Sequence, residues 1–413
     1  MTTKQQPILH IGIDWATQKH DVCIQTPSGK RSFAIIDSSP ESIDEWVCEL
    51  RRKYKGCFNV AVELCKGPIV YALQKYDYIT IYPVNPAMLA KYREAFSPSG
   101  AKDDPTDAEL ALDLMINYPS KVKPLKLAST SLRKLSFLVE QRRRLVDDRR
   151  RYGNRLINTL KQYYPQLLTW FSHRDTQLFS DFIIRWPSLQ KLKRARELTV
   201  RRFFLERGGN AVSLLEKRIT LINSAMPLTD DKAVIESHEL LSSTLALQLQ
   251  TVIQAIRKFD VEIEGIYKDM PDAELFSSLP GTGPCLAPRL LVAMGESRDR
   301  FKDAAEIQMY AGIAPVTERS GKKCWVHWRW QCSKFLRQSF IEWSEQSISR
   351  SFWAGLYYNQ QREKGNSHQA AVRSLAFKWI RILFKCWKSK VLYSESKYLQ
   401  ALKDRKSPLI ANI

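Results

Sequence analysis

Four acidic residues stand where apolar runs end or a helix begins. Asp14 interrupts Ile11-Gly-Ile-Asp-Trp15, Glu63 closes Val60-Ala-Val-Glu63, and Asp104 and Asp107 frame Asp104-Pro-Thr-Asp107. A carboxylate within an apolar strand is costly to bury unpaired, so Asp14 and Glu63 require a reason. Mg²⁺ supplies one: hard cations prefer oxygen ligands, and two ions about 3.5–4 Å apart stabilise the attacking and leaving oxygens of a phosphoryl transfer. Asp104 and Asp107, three apart, share one helical face and could close such a site. The plainer reading of that pair is a helix start, with Asp104 as cap, Pro105 in the first turn and Asp107 at the positive end of the dipole. The four together favour a metal site that takes Mg²⁺, two ions per site.

Three further segments carry chemistry of a weaker kind. Ser320-Gly321 reads as a turn between two strand-like runs, and Arg319, Lys322 and Lys323 around it could lower the serine pKa or hold phosphate. Leu279-Pro-Gly-Thr-Gly-Pro284 carries Gly281 and Gly283 in a turn whose backbone N–H groups could meet phosphate at a helix start, or which simply joins two helices. Arg142, Arg143 and Arg144 recur one heptad later as Arg149, Arg150 and Arg151. Such a like-charged stripe repels itself unless an anion neutralises it, which favours contact with a nucleic-acid backbone. Cys324, His327 and Cys332 lack a fourth ligand, so zinc is not expected there.

The elements that must position these residues change character along the chain. Leu9–Asp14, Asp21–Gln25 and Arg31–Ile36 read as a three-strand meander. A helix (Pro40–Tyr54), a strand (Phe58–Glu63), a helix (Pro68–Tyr76), a strand (Ile79–Pro83) and helices from Pro86 and Pro105 follow. That order is the order of an RNase H-like (RuvC-like) α/β domain over 1–124, in which the first and fourth strands are neighbours and Asp14 and Glu63 share an edge. Residues 125–270 turn basic and helical. There Leu245, Leu249, Val252, Ile256, Phe259, Ile263 and Ile266 keep alternating steps of four and three, a coiled-coil seam. An antiparallel helical hairpin or an intermolecular coiled coil would bury it equally well. Residues 271–413 form a third, mostly helical part holding seven of the eleven tryptophans: 325, 328, 330, 343, 353, 379 and 387. The expected fold class is therefore α/β plus α.

The chain has 413 residues, 64 Lys and Arg against 43 Asp and Glu, and a net charge of +21. This length suits two or three domains, and the charge suits a polyanion, nucleic acid before membrane. No apolar run approaches the roughly 18 residues a spanning helix needs, and the N-terminus, with Asp14 interrupting its short apolar stretch, does not read as a signal peptide. The eight cysteines show no CxxC pair, which fits a reduced cytoplasmic setting rather than a disulfide framework.

With these residues in view, the chain resembles the DEDD insertion-sequence transposases related to the Piv DNA invertase, the bridge-RNA-guided serine recombinases. The N-terminal matches are His10-Ile-Gly-Ile-Asp-Trp15, Val62-Glu63, Val84-Asn-Pro86 and Ser99–Ala108, where Lys102, Asp104, Asp107 and Ala108 fall on the family's spacing. The C-terminal matches are Leu279–Pro284, Tyr310-Ala-Gly-Ile-Ala-Pro315, Ser320-Gly321 and Ser333–Arg337. The resemblance implies that Ser320 is the nucleophile, forming a phosphoserine link to DNA while acid-bound Mg²⁺ assists strand exchange. It also implies a noncoding guide RNA that pairs with donor and target DNA, and a bacterial, nucleoid-associated enzyme. Because the carboxylates and Ser320 fall in different domains, a composite site in a homo-oligomer, dimer or tetramer, is expected. The chain departs from the family in having Lys322 where a second glycine follows Ser-Gly, and in a longer segment over 165–240. Two other readings remain open: a hydrolytic Holliday-junction-type nuclease using the four acids and water, and a non-catalytic nucleic-acid-binding protein.

Overall fold

Short β-branched runs, broken by the Pro27-Ser28-Gly29 turn and the Ser38-Ser39 cap, fold into a five-stranded sheet. Its strands are β1 (Pro7–Trp15), β2 (Lys19–Gln25), β3 (Arg31–Asp37), β4 (Cys57–Val62) and β5 (Ile79–Pro83), in the order β3-β2-β1-β4-β5. The first three are an antiparallel meander, and β4 and β5 run parallel to β1 and to each other. Parallel neighbours need a crossover. Two helices, α1 (Pro40–Tyr54) and α2 (Pro68–Leu73), provide them. The computed structural model describes residues 7–96, 104–207, 212–321 and 323–410, which divide between two compact units, Met1–Leu127 and Ala128–Ile413.

The two faces of the sheet are chemically different. Ile11, Ile13, Val22, Ile24, Val60 and Val62 point to the face covered by Ile43 and Val47 of α1 and Ile69 and Val70 of α2. The opposite face is built from small residues: Gly12 pairs with Cys23 on one side and Ala61 on the other. Cys23 and Ala61 pack with Ala108 and Leu112 of α4 (Asp104–Asn117), which follows α3 (Pro86–Phe96). Small residues are required because α4 lies almost on the strand. A Cβ added at Gly12 would collide with the Ala108 carbonyl oxygen and stand 2.9 Å from Leu112 Cβ. Gly12→Ala is therefore expected to destabilise this unit by about 1–3 kcal/mol through overpacking. Faster amide hydrogen exchange in β1 and α4, with exchange in the second unit unchanged, is the measurement that checks it.

The second unit has, among its described residues, helices and one hairpin as its regular elements. Its spine is α5 (Thr130–Leu160) packed along the helix Lys232–Lys268. Lys134 meets Glu262 at 3.2 Å and Arg142 pairs with Asp260. Leu156, further along α5, shares a core with Leu245 and Leu249. Ascending numbers on one helix thus meet descending numbers on the other, and the pair is antiparallel. The apolar seam is consequently buried within the chain. Leu245, Leu249, Ile256 and Ile263 are buried, while Val252 yields its place to Ile253. One end of the pair joins an aromatic core with Phe171, Phe179, Phe182, Phe203 and Phe204. The other end, through Leu132, Leu135, Val139 and Ile263, joins a core containing Trp343, Trp353, Trp379 and Trp387. Among the described residues no helix is long and apolar enough to cross a membrane.

Candidate functional site

The strand register places acids at one end of the first sheet, around the C-terminus of its central strand β1. Asp14 lies directly opposite Asp21 in the β1–β2 ladder. The last β1–β4 rung is Ile13↔Val62, so Glu63 follows one residue beyond it, beside Asp14. Alternation puts Asp14 and Asp21 on the face of Gly12 and Cys23, the face that α4 covers. The direction of α4 follows from its contacts. Arg31, paired with Gln25 at the far end of the ladder, binds Glu109 at 2.7 Å and also Asp113, whereas Ala108 sits over Gly12. The first turn of α4 therefore points toward Asp14, with its positive dipole end near the acids.

Asp21 is a residue that the sequence reading did not single out. It is only 5 % exposed, and its signal was present: a carboxylate opening the buried run Asp21-Val-Cys-Ile24. Next to it, burial lowers the pKa of His20, with Asp21 acting against that shift. Asp107 is placed otherwise than a free ligand. It is 2 % exposed, and Arg93 Nε of α3 donates to its Oδ1 at 2.5 Å. Segment 99–103 lies outside the described residues, as does the Asp104 side chain. Among the described residues no group of three His, Cys, Asp or Glu converges to hold a metal ion. Removing Arg93 would leave Asp107 buried without its partner, so Arg93→Ala is expected to cost about 3–5 kcal/mol. Chemical denaturation read on the first unit checks this, and adding Asp107→Asn should recover part of the loss.

Ser320 ends β6 (Val316–Ser320), which pairs with β7 (Lys323–His327) in an exposed antiparallel hairpin. Ser320 lies opposite Lys323, and Gly321, at φ +56°, supplies the left-handed residue that a two-residue turn requires. Lys322 lies outside the described residues. The hydroxyl thus stands at a solvent-facing tip, with Lys323 across the ladder and Arg319 before it.

The other predicted contacts are placed with more restraint. Gly281, at φ +82°, backs onto the main chain at Gln346, where a Cβ would come within 2.8 Å, so packing already explains it. Gly283 opens the helix Gly283–Met294 with free space around it. In α5, Arg142 pairs with Asp260, Arg143 with Asp147 at 3.0 Å, Arg149 with Asp175 at 3.2 Å, and Arg151 with Asp148. The protein's own acids therefore neutralise much of that stripe, and Arg144 and Arg150 remain exposed. Chemically, the hairpin can present a hydroxyl beside cations to a phosphate, while the acids at the end of β1 share a neighbourhood without a described group of three converging on one metal position.

Comparison with known proteins gives the class to which these parts belong. A transposase model of the DEDD IS110 type matches residues 11–165, and the model of the Transposase IS116/IS110/IS902 family matches residues 273–359. The "Mini-circle putative transposase for IS117" of Streptomyces coelicolor is 27% identical over 400 residues, covering 94% of this chain and 95% of that protein. The "Insertion element IS110 uncharacterized 43.6 kDa protein" of the same organism is 26% identical over 72% of this chain and 73% of its own length. The "Insertion element IS116 uncharacterized 44.8 kDa protein" of Streptomyces clavuligerus is 26% identical over 71% and 73%. The chain belongs to the DEDD insertion-sequence transposase family and is an enzyme of the transposase class.

Proposed function

We propose that the protein is a DNA transposase that cleaves and rejoins DNA through a phosphoserine at Ser320, assisted by an RNase H-like acidic site. The observation that carries this reading is the match of both ends of the chain to insertion-sequence transposase families, with Asp14 opposite Asp21 and Glu63 one residue past the β1–β4 ladder at the same end of the sheet. Carboxylates at the same end of the sheet repel one another, and a bound cation would ease that repulsion. The donors are all carboxylate oxygens, which fits a hard ion. Asp14, Glu63, Asp104 and Asp107 would hold divalent metal, read as two Mg²⁺ ions, whose chemistry is to stabilise charge building on a phosphate. Asp107 would join by exchanging Arg93 for the metal.

The chain's own groups then do the following. Ser320 Oγ loses its proton and attacks the phosphorus of a DNA strand. The P–O bond to one strand oxygen breaks, that oxygen leaves as a protonated hydroxyl, and the strand stays joined to serine. A hydroxyl of a second strand attacks the same phosphorus, releases Ser320 and rejoins the DNA, so no outside energy source is needed. The cations Arg319, Lys322 and Lys323 hold the phosphate, while Gly281, Gly283, Arg144 and Arg150 contact nucleic-acid backbone, with Arg142, Arg143, Arg149 and Arg151 secondary. In this division 1–124 supplies the acids, 125–270 the basic helices and 271–413 the serine. The acids and serine belong to different parts, which supports a site completed in a homo-oligomer. A noncoding guide RNA supplies target choice, since phosphate contacts carry no sequence information.

The test is to incubate end-labelled DNA carrying the element's junction with the protein, Mg²⁺ and RNA from the flanking noncoding DNA. A slow, protease-sensitive DNA band whose phosphopeptide maps to Ser320 is the expected result. Free cut ends alone would replace this reading with a hydrolytic nuclease.

A further inference from the structure

A different set of arginines from the stripe on α5 has no acids to answer it. Trp328 follows β7, and two guanidiniums lie over its ring: Arg373, from the helix His368–Ser389, at 3.6 Å from the ring centroid, and Arg337, from the helix Lys334–Ser347, at 4.8 Å. Arg329 stands next along the chain. Its Nε donates to the Ala314 carbonyl at 3.1 Å and its Nη2 to the Pro315 carbonyl at 3.3 Å. Arg337 Nη2 donates to the Arg329 carbonyl and to Cys332 Sγ. Among the described residues none of the three guanidiniums has a carboxylate partner, and the hairpin's Glu318 is engaged with His327 at 3.4 Å.

The cluster is also short of hydrogen bonds. Trp328 Nε1, Arg337 Nε and Arg373 Nε are buried nitrogens without a partner. Burial and the neighbouring Arg337 both lower the pKa of Arg373, the signature of a cation with nothing opposite it. Trp328, Arg329 and Arg373 line a cleft of about 260 Å³ together with Gly312, Ile313, Ala314, Pro315, Val326 and His327, and Arg337 lies behind it against the Trp328 ring. Gly312, at φ +67°, lets the cleft lining pack against Cys332, which an added Cβ would strike first, with Arg337 Nε next at 3.0 Å. Trp330, 79 % exposed, stands at the same turn with its ring tilted against that of Trp328, centroids 6.3 Å apart, and most of its surface open to solvent.

We propose that Arg329, Arg337 and Arg373, gathered around Trp328 beside the Ser320 hairpin, form a phosphodiester-binding site for a nucleic-acid strand, with Trp330 as a stacking surface for an adjacent base. This deepens the transposase reading and rests on it only for the identity of the strand. Guanidiniums suit the task because their forked donors match phosphate oxygens, and stacking on an aromatic face is indifferent to base identity. The cleft lies at the base of the hairpin whose tip carries Ser320, so the site would hold the strand about 13 Å, four strand residues, from the attacking hydroxyl. Alone it selects no sequence.

The experiment measures binding of a short labelled DNA duplex, and separately of a labelled single-stranded RNA, to the full chain without Mg²⁺ across a range of salt. In the variant carrying Arg337→Gln and Arg373→Gln, the slope of log affinity against log salt should fall by about 0.9 per lost contact on duplex DNA or about 0.7 on the single strand. Affinity at fixed salt should fall on the order of tenfold. Arg373→Lys, which keeps the charge, should keep most of the slope. The arm that changes names the strand. Unchanged slopes on both nucleic acids, in a variant with wild-type circular dichroism and melting, would overturn the proposal. If that variant does not fold, the same reading is taken from Arg329→Gln, and an unchanged slope there overturns it equally. Loss of the slope with no covalent adduct in the wild type would sink the serine chemistry while leaving this site standing.

Discussion

Ser320→Ala is expected to abolish the covalent protein–DNA species and strand rejoining, with the rate falling on the order of 10³-fold or more, the scale on which loss of an enzymic nucleophile acts. The side chain lies at the exposed tip of the β6–β7 hairpin. Substitution there should change stability by no more than about 0.5 kcal/mol. DNA affinity should also hold, because the cations around the hairpin are untouched. Loss of the adduct therefore cannot be assigned to unfolding or failed binding. Denaturing gels before and after protease, run beside a melting curve, give all three readouts. An alanine variant that cuts and rejoins at the wild-type rate would remove Ser320 from the reaction.

Asp14→Asn tests the other half of the chemistry. Cleavage should fall by about 10²–10³-fold, the equivalent of several kcal/mol of charge stabilisation in the transition state. A structural acid would behave differently in one respect that thermal melting reads. A ligand that binds only the folded state raises Tm, so Mg²⁺ should raise the Tm of the wild type and leave the variant nearly unmoved. The Mg²⁺-induced shift in Tm, rather than the metal-free Tm itself, is the quantity to compare between variant and wild type. A variant that melts early without metal and still responds fully to Mg²⁺ would make Asp14 a structural residue. Asp21→Asn extends the test to a residue at the same edge.

Much of the first unit was legible in the chain because its signals are local. Strand alternation, the Pro-led helices and the Pro27-Ser28-Gly29 turn each specify an element without reference to a distant partner, and β1 to β5 fall where those signals put them. The boundaries shift only slightly: α2 ends at Leu73 rather than Tyr76, and Glu63 stands just past β4. The heptad seam on Lys232–Lys268 likewise declared a buried stripe but not its partner.

What the sequence by itself determined is the set of residues able to do chemistry, the family they match, and the elements that carry them. Each of these depends on residue type and short spacing. Tertiary structure alone decided which charges are answered and by whom. It set Arg93 against Asp107, brought Asp21 to Asp14, and turned the seam inward onto α5. It also matched the Arg142 and Arg149 region with Asp260 and Asp175, while leaving Arg329, Arg337 and Arg373 without acids. The reason is physical: the free energy of a charge depends on burial and on partners a few ångströms away, and such a partner can lie far along the chain, as Asp260 does, 118 residues from Arg142.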